Sequence, residues 1–175
     1  PVLTHARALV AGHGLDGRIG LIKVAPGPLP FPPAIFDVVF SKDSIIHIPD
    51  KHALMREVFR VLKPGGRFLA SDWLIGTEGA PSPAMAAYIA AEGLDFGMAT
   101  PARYHDAMTQ AGFIDVSTRS RNLWYREQAR AELDRLRGAA GAAAARIVGQ
   151  DFVDQNIAIW SRMIPVLDTG EHCPT

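Results

Sequence analysis

Asp43 and His47 are the residues of this chain whose types and spacing point most directly to proton chemistry. They stand four positions apart in Ser41-Lys42-Asp43-Ser44-Ile45-Ile46-His47, so a helical turn brings both to one side, where they address one ligand. An imidazole with an ordinary pKa near ~6.5 removes a proton from a bound group, and a carboxylate beside it holds a cation. The same spacing also suits a structural pair, with Asp43 capping the turn and His47 filling a gap between Ile46 and Ile48. His47 and His52 lie five apart, on different sides of a helix, and no further ligands cluster near them, so no metal is expected. Asp72 and Trp73 follow an apolar run, where an acid more often closes a turn and an indole more often packs. His5, His13, His105 and His172 stand singly and read as surface or packing residues, and Cys173 receives no role.

The elements around these residues predict an α/β fold. Leu3, Ala6, Leu9 and Val10 space an amphipathic helix that Gly14 ends, and Arg18 to Val24 reads as a buried strand. The proline-rich stretch 26–33 lacks backbone donors and must be a loop. Phe36 to Phe40 is a β-branched and aromatic run that ends at the polar cluster Ser41 to Ser44, which reads as strand, then functional loop. Asp50 caps a helix that carries Leu54, Val58, Val61 and Leu62 on one face until Pro64-Gly65-Gly66, and Phe68 to Trp73 follows as a strand. Strand, helix, strand with short connections indicates a parallel sheet with crossover helices. In such a sheet ligands bind beyond the carboxyl ends of the strands, which selects the 26–33 loop, Ser41 to His47, and Ser71 to Trp73. Further on, Ser82 to Gly93 and Thr100 to Gly112 read as helices and Phe113 to Ser120 as a strand. Trp124 to Ile164 reads as two helices broken near Gly138 to Gly141, Val148 and Phe152 lying on the inner face of the second, and Pro165 ends it. Arg130 and Asp134 have the i, i+4 spacing of a solvated face.

Composition narrows the partners. The 175 residues suffice for one domain, taken as 1–175 with a helical segment at 121–168, and 48% hydrophobic against 21% charged residues is the balance of an ordinary folded protein. Eighteen basic residues balance eighteen acidic ones, so there is no basic field for nucleic acid or an anionic membrane. The longest nearly apolar run, Gly138 to Ala145, is far short of the roughly 20 residues of a membrane span. One cysteine forbids an internal disulfide and agrees with a reducing, cytoplasmic setting, and residues 1–14 lack the features of a signal peptide. The absence of an initiator Met suggests a fragment or a processed chain.

Leu29-Pro30-Phe31, Phe36 to Ile48, Arg60-Val61-Leu62-Lys63-Pro64-Gly65-Gly66-Arg67 and Ser71-Asp72, in this order and spacing, resemble the class I S-adenosylmethionine-dependent methyltransferases. The resemblance is to their C-terminal portion, and especially to the phosphoethanolamine and sarcosine/dimethylglycine N-methyltransferases; it covers residues 19–73 and, less fully, the chain to Arg162. It implies a Rossmann-like sheet, incomplete on its N-terminal side, with S-adenosylmethionine beyond the Phe36 to Phe40 strand. Ser41, Lys42 and Asp43 would line its methionine end, with Pro28 and Leu29 also in contact with it. It implies His47 as the base that deprotonates an amine acceptor, with Asp43 near the sulfonium and substrate, and Trp73, Tyr88 and Tyr104 as candidates for the acceptor wall. The glycine-rich loop and the ribose-binding acid of the family would precede residue 1, so weak or absent cofactor affinity is expected of this chain. The phosphate-holding Arg and Tyr of the phosphobase branch fall on Leu94 and Phe96, which argues against a phosphobase acceptor, and a final antiparallel strand would lie at or beyond Cys173. The function this implies is methyl transfer to a small molecule, at nitrogen. The alternative is a non-catalytic, truncated methyltransferase-like subunit that associates, as a homodimer, through an exposed sheet edge.

Overall fold

A computed structural model describes residues 2–25 and 27–175, beginning with helix α1 (Val2–Gly12), none of whose residues is buried. Of the proline-rich stretch 26–33, Pro26 lies outside the described residues, and the rest forms the loop expected of it, made of bends and a turn. Strand β1 (Phe36–Lys42) leads through a single 3-10 turn at Ile45–His47 into helix α2 (Lys51–Val61), and strand β2 (Leu62–Ser71) returns parallel to β1. This is the predicted strand, helix, strand unit. The Asp50 carboxylate caps α2 by accepting from the Ala53 N–H at 2.8 Å, and α2 buries Met55, Val58 and Val61.

Strand β3 (Trp73–Ile75) pairs antiparallel with β4 (His172–Pro174), which supplies the antiparallel strand expected near Cys173. Alternation along β3 divides the interior. Leu74 joins a core with Ile45, Met55, Tyr104 and Ala107, while Trp73 and Ile75 face a second core built around Met85, Tyr88, Met163 and Leu167. Helices α3 (Pro83–Glu92) and α4 (Pro101–Ala111) follow, capped by the Ser82 and Thr100 hydroxyls and each ended by a left-handed glycine.

Several expectations need correction. Arg18 to Val24 is not a strand: Ile19, Ile22 and Val24 are 42%, 59% and 45% exposed, because among the described residues no strand lies beside them to pair with. Phe113 to Ser120 also forms no ladder. A cavity of about 410 Å3, lined by Phe68 to Asp72 on one side and by Ser117, Thr118 and Arg119 on the other, separates it from β2. The last third holds three helices, α5 (Asn122–Arg137), α6 (Ala139–Val148) and α7 (Gln150–Thr169), because Gly149 takes φ 94°, which glycine adopts without a steric penalty. Val148 and Phe152 flank that break and are exposed instead of facing the core. Pro165 does not end α7. Met163, Val166 and Leu167 are buried around it, each apolar side chain contributing about 1.5–3 kcal/mol, which outweighs the ~3 kcal/mol cost of an interior proline. Arg130 turns from Asp134 to grip Asp168 of α7 together with Arg126, tying α5 to α7 at 2.6–2.8 Å.

Candidate active site

The turn that carries His47 is held from several directions. At the end of β1, Asp43 adopts a left-handed φ of 51°, tolerated by Asp better than by most residues, and its N–H donates to the Ser71 carbonyl at 2.9 Å. Lys42 Nζ donates to Asp43 Oδ2 at 2.7 Å, and Ser44 Oγ to the Lys42 carbonyl at 2.9 Å. Beneath the turn, the fully buried Lys51 donates through Nζ to the carbonyls of Ile45 and Ile48, both at 2.6 Å. Burial lowers the Lys51 pKa to about 8, an effect that the charge of Asp72 opposes. Asp72 is buried too. It accepts from the Tyr104 hydroxyl at 2.5 Å, its other oxygen has no partner, and desolvation raises its pKa.

Above the turn passes the segment joining α3 to α4. The Gly97 N–H donates to the Ile46 carbonyl at 2.7 Å, and an added Cβ at Gly97 would press on Pro49 at 3.0 Å from its Cα, so the close approach favours glycine. His47 Nδ1 donates to the Asp95 carbonyl at 3.0 Å, and its ring lies over Phe96 with centroids 5.7 Å apart. A carbonyl only accepts, so in the neutral imidazole Nδ1 carries the proton and Nε2 keeps its lone pair.

Asp43 and His47 open on a cleft of about 290 Å3 walled by Trp73, Tyr88, Phe96 and Trp160. Asp43, His47, Trp73 and Tyr88 are thus brought together from three segments, the 43–47 turn, β3 and α3. Glu92, beside Tyr88, adds a second carboxylate, and burial with that charge pushes the Tyr88 phenol far up. Ser41 is half-buried at the end of β1, and Lys42 is exposed beside Asp43. Pro28 and Leu29 sit outside this cleft, in the 27–33 loop, which α2 holds: Glu57 accepts from the Leu29 N–H at 2.8 Å, and Arg60 donates to the carbonyls of Phe31 and Leu29. Tyr104 is not brought into the cleft. It is buried in the first core with its hydroxyl committed to Asp72, so it acts beneath the His47 turn. Sequence reading missed Glu92, Trp160 and Lys51. Only Lys51 carried a local signal, a cation in the first turn of a helix, where the dipole disfavours it.

His172 packs behind the wall, stacked on Trp73 at 4.9 Å and tilted to Tyr88 at 5.1 Å. Its Nδ1 donates to the Leu74 carbonyl, Nε2 has no partner, and burial lowers its pKa to about 4. Between pH 6.5 and 4 the unfolded chain therefore binds a proton that the folded chain excludes, and stability falls with pH across that window. The expected loss is about 3 kcal/mol, read from urea midpoints, and His172→Asn should flatten the slope.

A crossover sheet whose first loop carries an acid and a histidine to an aromatic cleft has the ligand-site layout of an open α/β sheet, and comparison with known proteins specifies the family. Residues 1–70 match the methyltransferase domain family. The phosphoethanolamine N-methyltransferase of Triticum aestivum is 34% identical over 141 residues, which are 81% of this chain and 27% of the relative. The chain spans about a quarter of the length of the curated relatives it matches first. Phosphoethanolamine N-methyltransferase 2 of Haemonchus contortus, crystallised with phosphomonomethylethanolamine and S-adenosylhomocysteine, superposes with a TM-score of 0.72 at 25% identity, covering 82% of this chain and 33% of that one. A putative sarcosine dimethylglycine methyltransferase from Galdieria sulphuraria shares the fold at a TM-score of 0.82, with 19% identity and coverage of 99% and 64%. Residues 1–70 thus carry part of a methyltransferase domain, and the fold is that of the S-adenosylmethionine-dependent methyltransferases.

Proposed function

We propose that the chain carries the acceptor side of an S-adenosylmethionine-dependent methyltransferase that methylates a small molecule at nitrogen. The observation that carries this reading is the His47 imidazole, whose Nδ1–H is committed to Asp95 while its ring lines an acidic, aromatic cleft at the end of β1. An ammonium has no free lone pair, so an amine acceptor must first lose a proton, and Nε2 of His47 is the group placed to take it. The donor set fits the cofactor's cationic end: the Asp43 carboxylate stands among aromatic faces, which attract positive charge. Ser41, Lys42 and Asp43 would hold the methionine portion, and Pro28 and Leu29 would contact it from the 27–33 loop. When bound, S-adenosylmethionine supplies an electrophilic methyl group on a sulfonium. His47 removes the acceptor's proton, Asp43 and the aromatic walls orient the two positive centres, and the 93–97 segment keeps the imidazole in place.

The test is transfer of labelled methyl from S-adenosylmethionine to a panel of primary and secondary amines, with the product mapped by mass spectrometry. Methyl on nitrogen is expected; transfer only to oxygen or carbon would overturn the nitrogen reading.

A second reading is non-catalytic association with another copy of the chain, in the cytoplasm as the cysteine usage suggests. Val38, Phe40 and Leu69, which are 53%, 67% and 50% exposed on one side of the β1–β2 pair, favour it, as an apolar sheet face of this kind is a ready contact surface. No helix of the described residues is long and apolar enough to cross a membrane.

A further inference from the structure

We propose that the acceptor taken by this cleft is an organic cation bearing no phosphate or carboxylate, a small alkylamine whose charge is held between the aromatic faces and Glu92. This rests on the reading of the cleft as the acceptor site. Trp73, Tyr88, Phe96 and Trp160 line one space of about 290 Å3, and among the described residues Asp43 and Glu92 are the only Asp, Glu, Lys or Arg side chains that line it. No Lys or Arg does. Lys42 is engaged with Asp43 and lies 64% exposed outside the lining, whereas among the described residues no cationic side chain pairs with Glu92, which stands beside the Tyr88 hydroxyl. A ligand phosphate seated here would meet two carboxylates against a single imidazole, His47, and no Lys or Arg, an arrangement that selects against it. A cationic nitrogen meets the reverse: indole and phenol rings that attract it by their quadrupoles and a carboxylate free to pair with it. The apolar remainder of the wall, Ile46, Ile159 and Met163, accommodates the alkyl part.

Three matched probes separate these contributions. Choline carries the cation, phosphocholine adds a phosphate, and 3,3-dimethylbutan-1-ol keeps the shape without the charge. The full chain with Trp124→Phe leaves Trp73 and Trp160, both in the cleft, as the only indoles, so their fluorescence reports occupancy. Choline should quench them and bind about tenfold or more tightly than either other probe, the margin that cation–π contact and one freed carboxylate give. Glu92→Gln should weaken choline towards the neutral isostere and leave the isostere unchanged, with circular dichroism showing that the variant is folded. Equal or tighter binding of phosphocholine, equal binding of the neutral isostere, or no choline binding by the folded chain would overturn the proposal. Titration of the same samples with S-adenosylhomocysteine keeps the two readings apart. Cofactor binding without choline binding removes only the acceptor assignment, and choline binding without cofactor binding removes only the methyltransferase reading.

Discussion

His47→Ala should lower kcat for methyl transfer by about 10²–10⁴-fold while leaving the affinity for S-adenosylhomocysteine within a factor of two or so. The size follows from the role: the side chain removes the acceptor's proton and makes no contact on which the fold depends, since it is exposed at the lip of the cleft. Its Nδ1–H bond to Asp95 and its tilted contact with Phe96 hold a ring that, once truncated, leaves the acceptor's proton to bulk water. Added imidazole should recover part of the lost rate, an outcome that a packing role would not produce. A variant that keeps more than about a tenth of the rate would remove His47 as the base.

Lys51→Met carries the largest expected effect on stability, a loss of about 3–5 kcal/mol in urea denaturation. The methionine nearly matches the volume, but the carbonyls of Ile45 and Ile48 lose charged donors at 2.6 Å, and Asp72 is left buried without the ammonium that offsets its charge. Because those carbonyls belong to the His47 turn, the residual folded protein should also bind cleft ligands more weakly. Lys51→Met combined with Asp72→Asn should cost less than the sum of the two, because removing both members leaves no uncompensated charge. A loss below about 1 kcal/mol for the single change would show that Lys51 merely fills space.

The parts of the site legible in the sequence are those that local chemistry dictates. A β-branched and aromatic run ending in Ser-Lys-Asp-Ser specifies a strand and then a polar turn. Asp50 marks the start of α2, and the four-residue spacing of Asp43 and His47 brings both to one cleft. The rest depends on tertiary contacts that no window of sequence contains. Glu92 and Phe96 reach His47 only because Gly97 lets the 93–97 segment press against Pro49, and Trp160 arrives from the middle of α7. Ile19 to Val24 has the composition of a strand, but pairing requires a neighbour, and among the described residues it has none. Tyr104 has the chemistry of a binding residue, yet the buried carboxylate of Asp72 directs its hydroxyl beneath the turn. Pro165 illustrates the converse: its local preference against helix is real, and burial on either side overrides it.

The central claim is that the end of β1 forms a cofactor site beside an acceptor cleft, and calorimetric titration of the chain with S-adenosylhomocysteine tests it most directly. The account predicts weak, saturable, one-to-one binding that Asp43→Ala reduces about tenfold or more and His47→Ala leaves nearly unchanged. No heat of binding at millimolar ligand, or binding indifferent to Asp43→Ala, would contradict it and leave association through the exposed face of Val38, Phe40 and Leu69 as the better account.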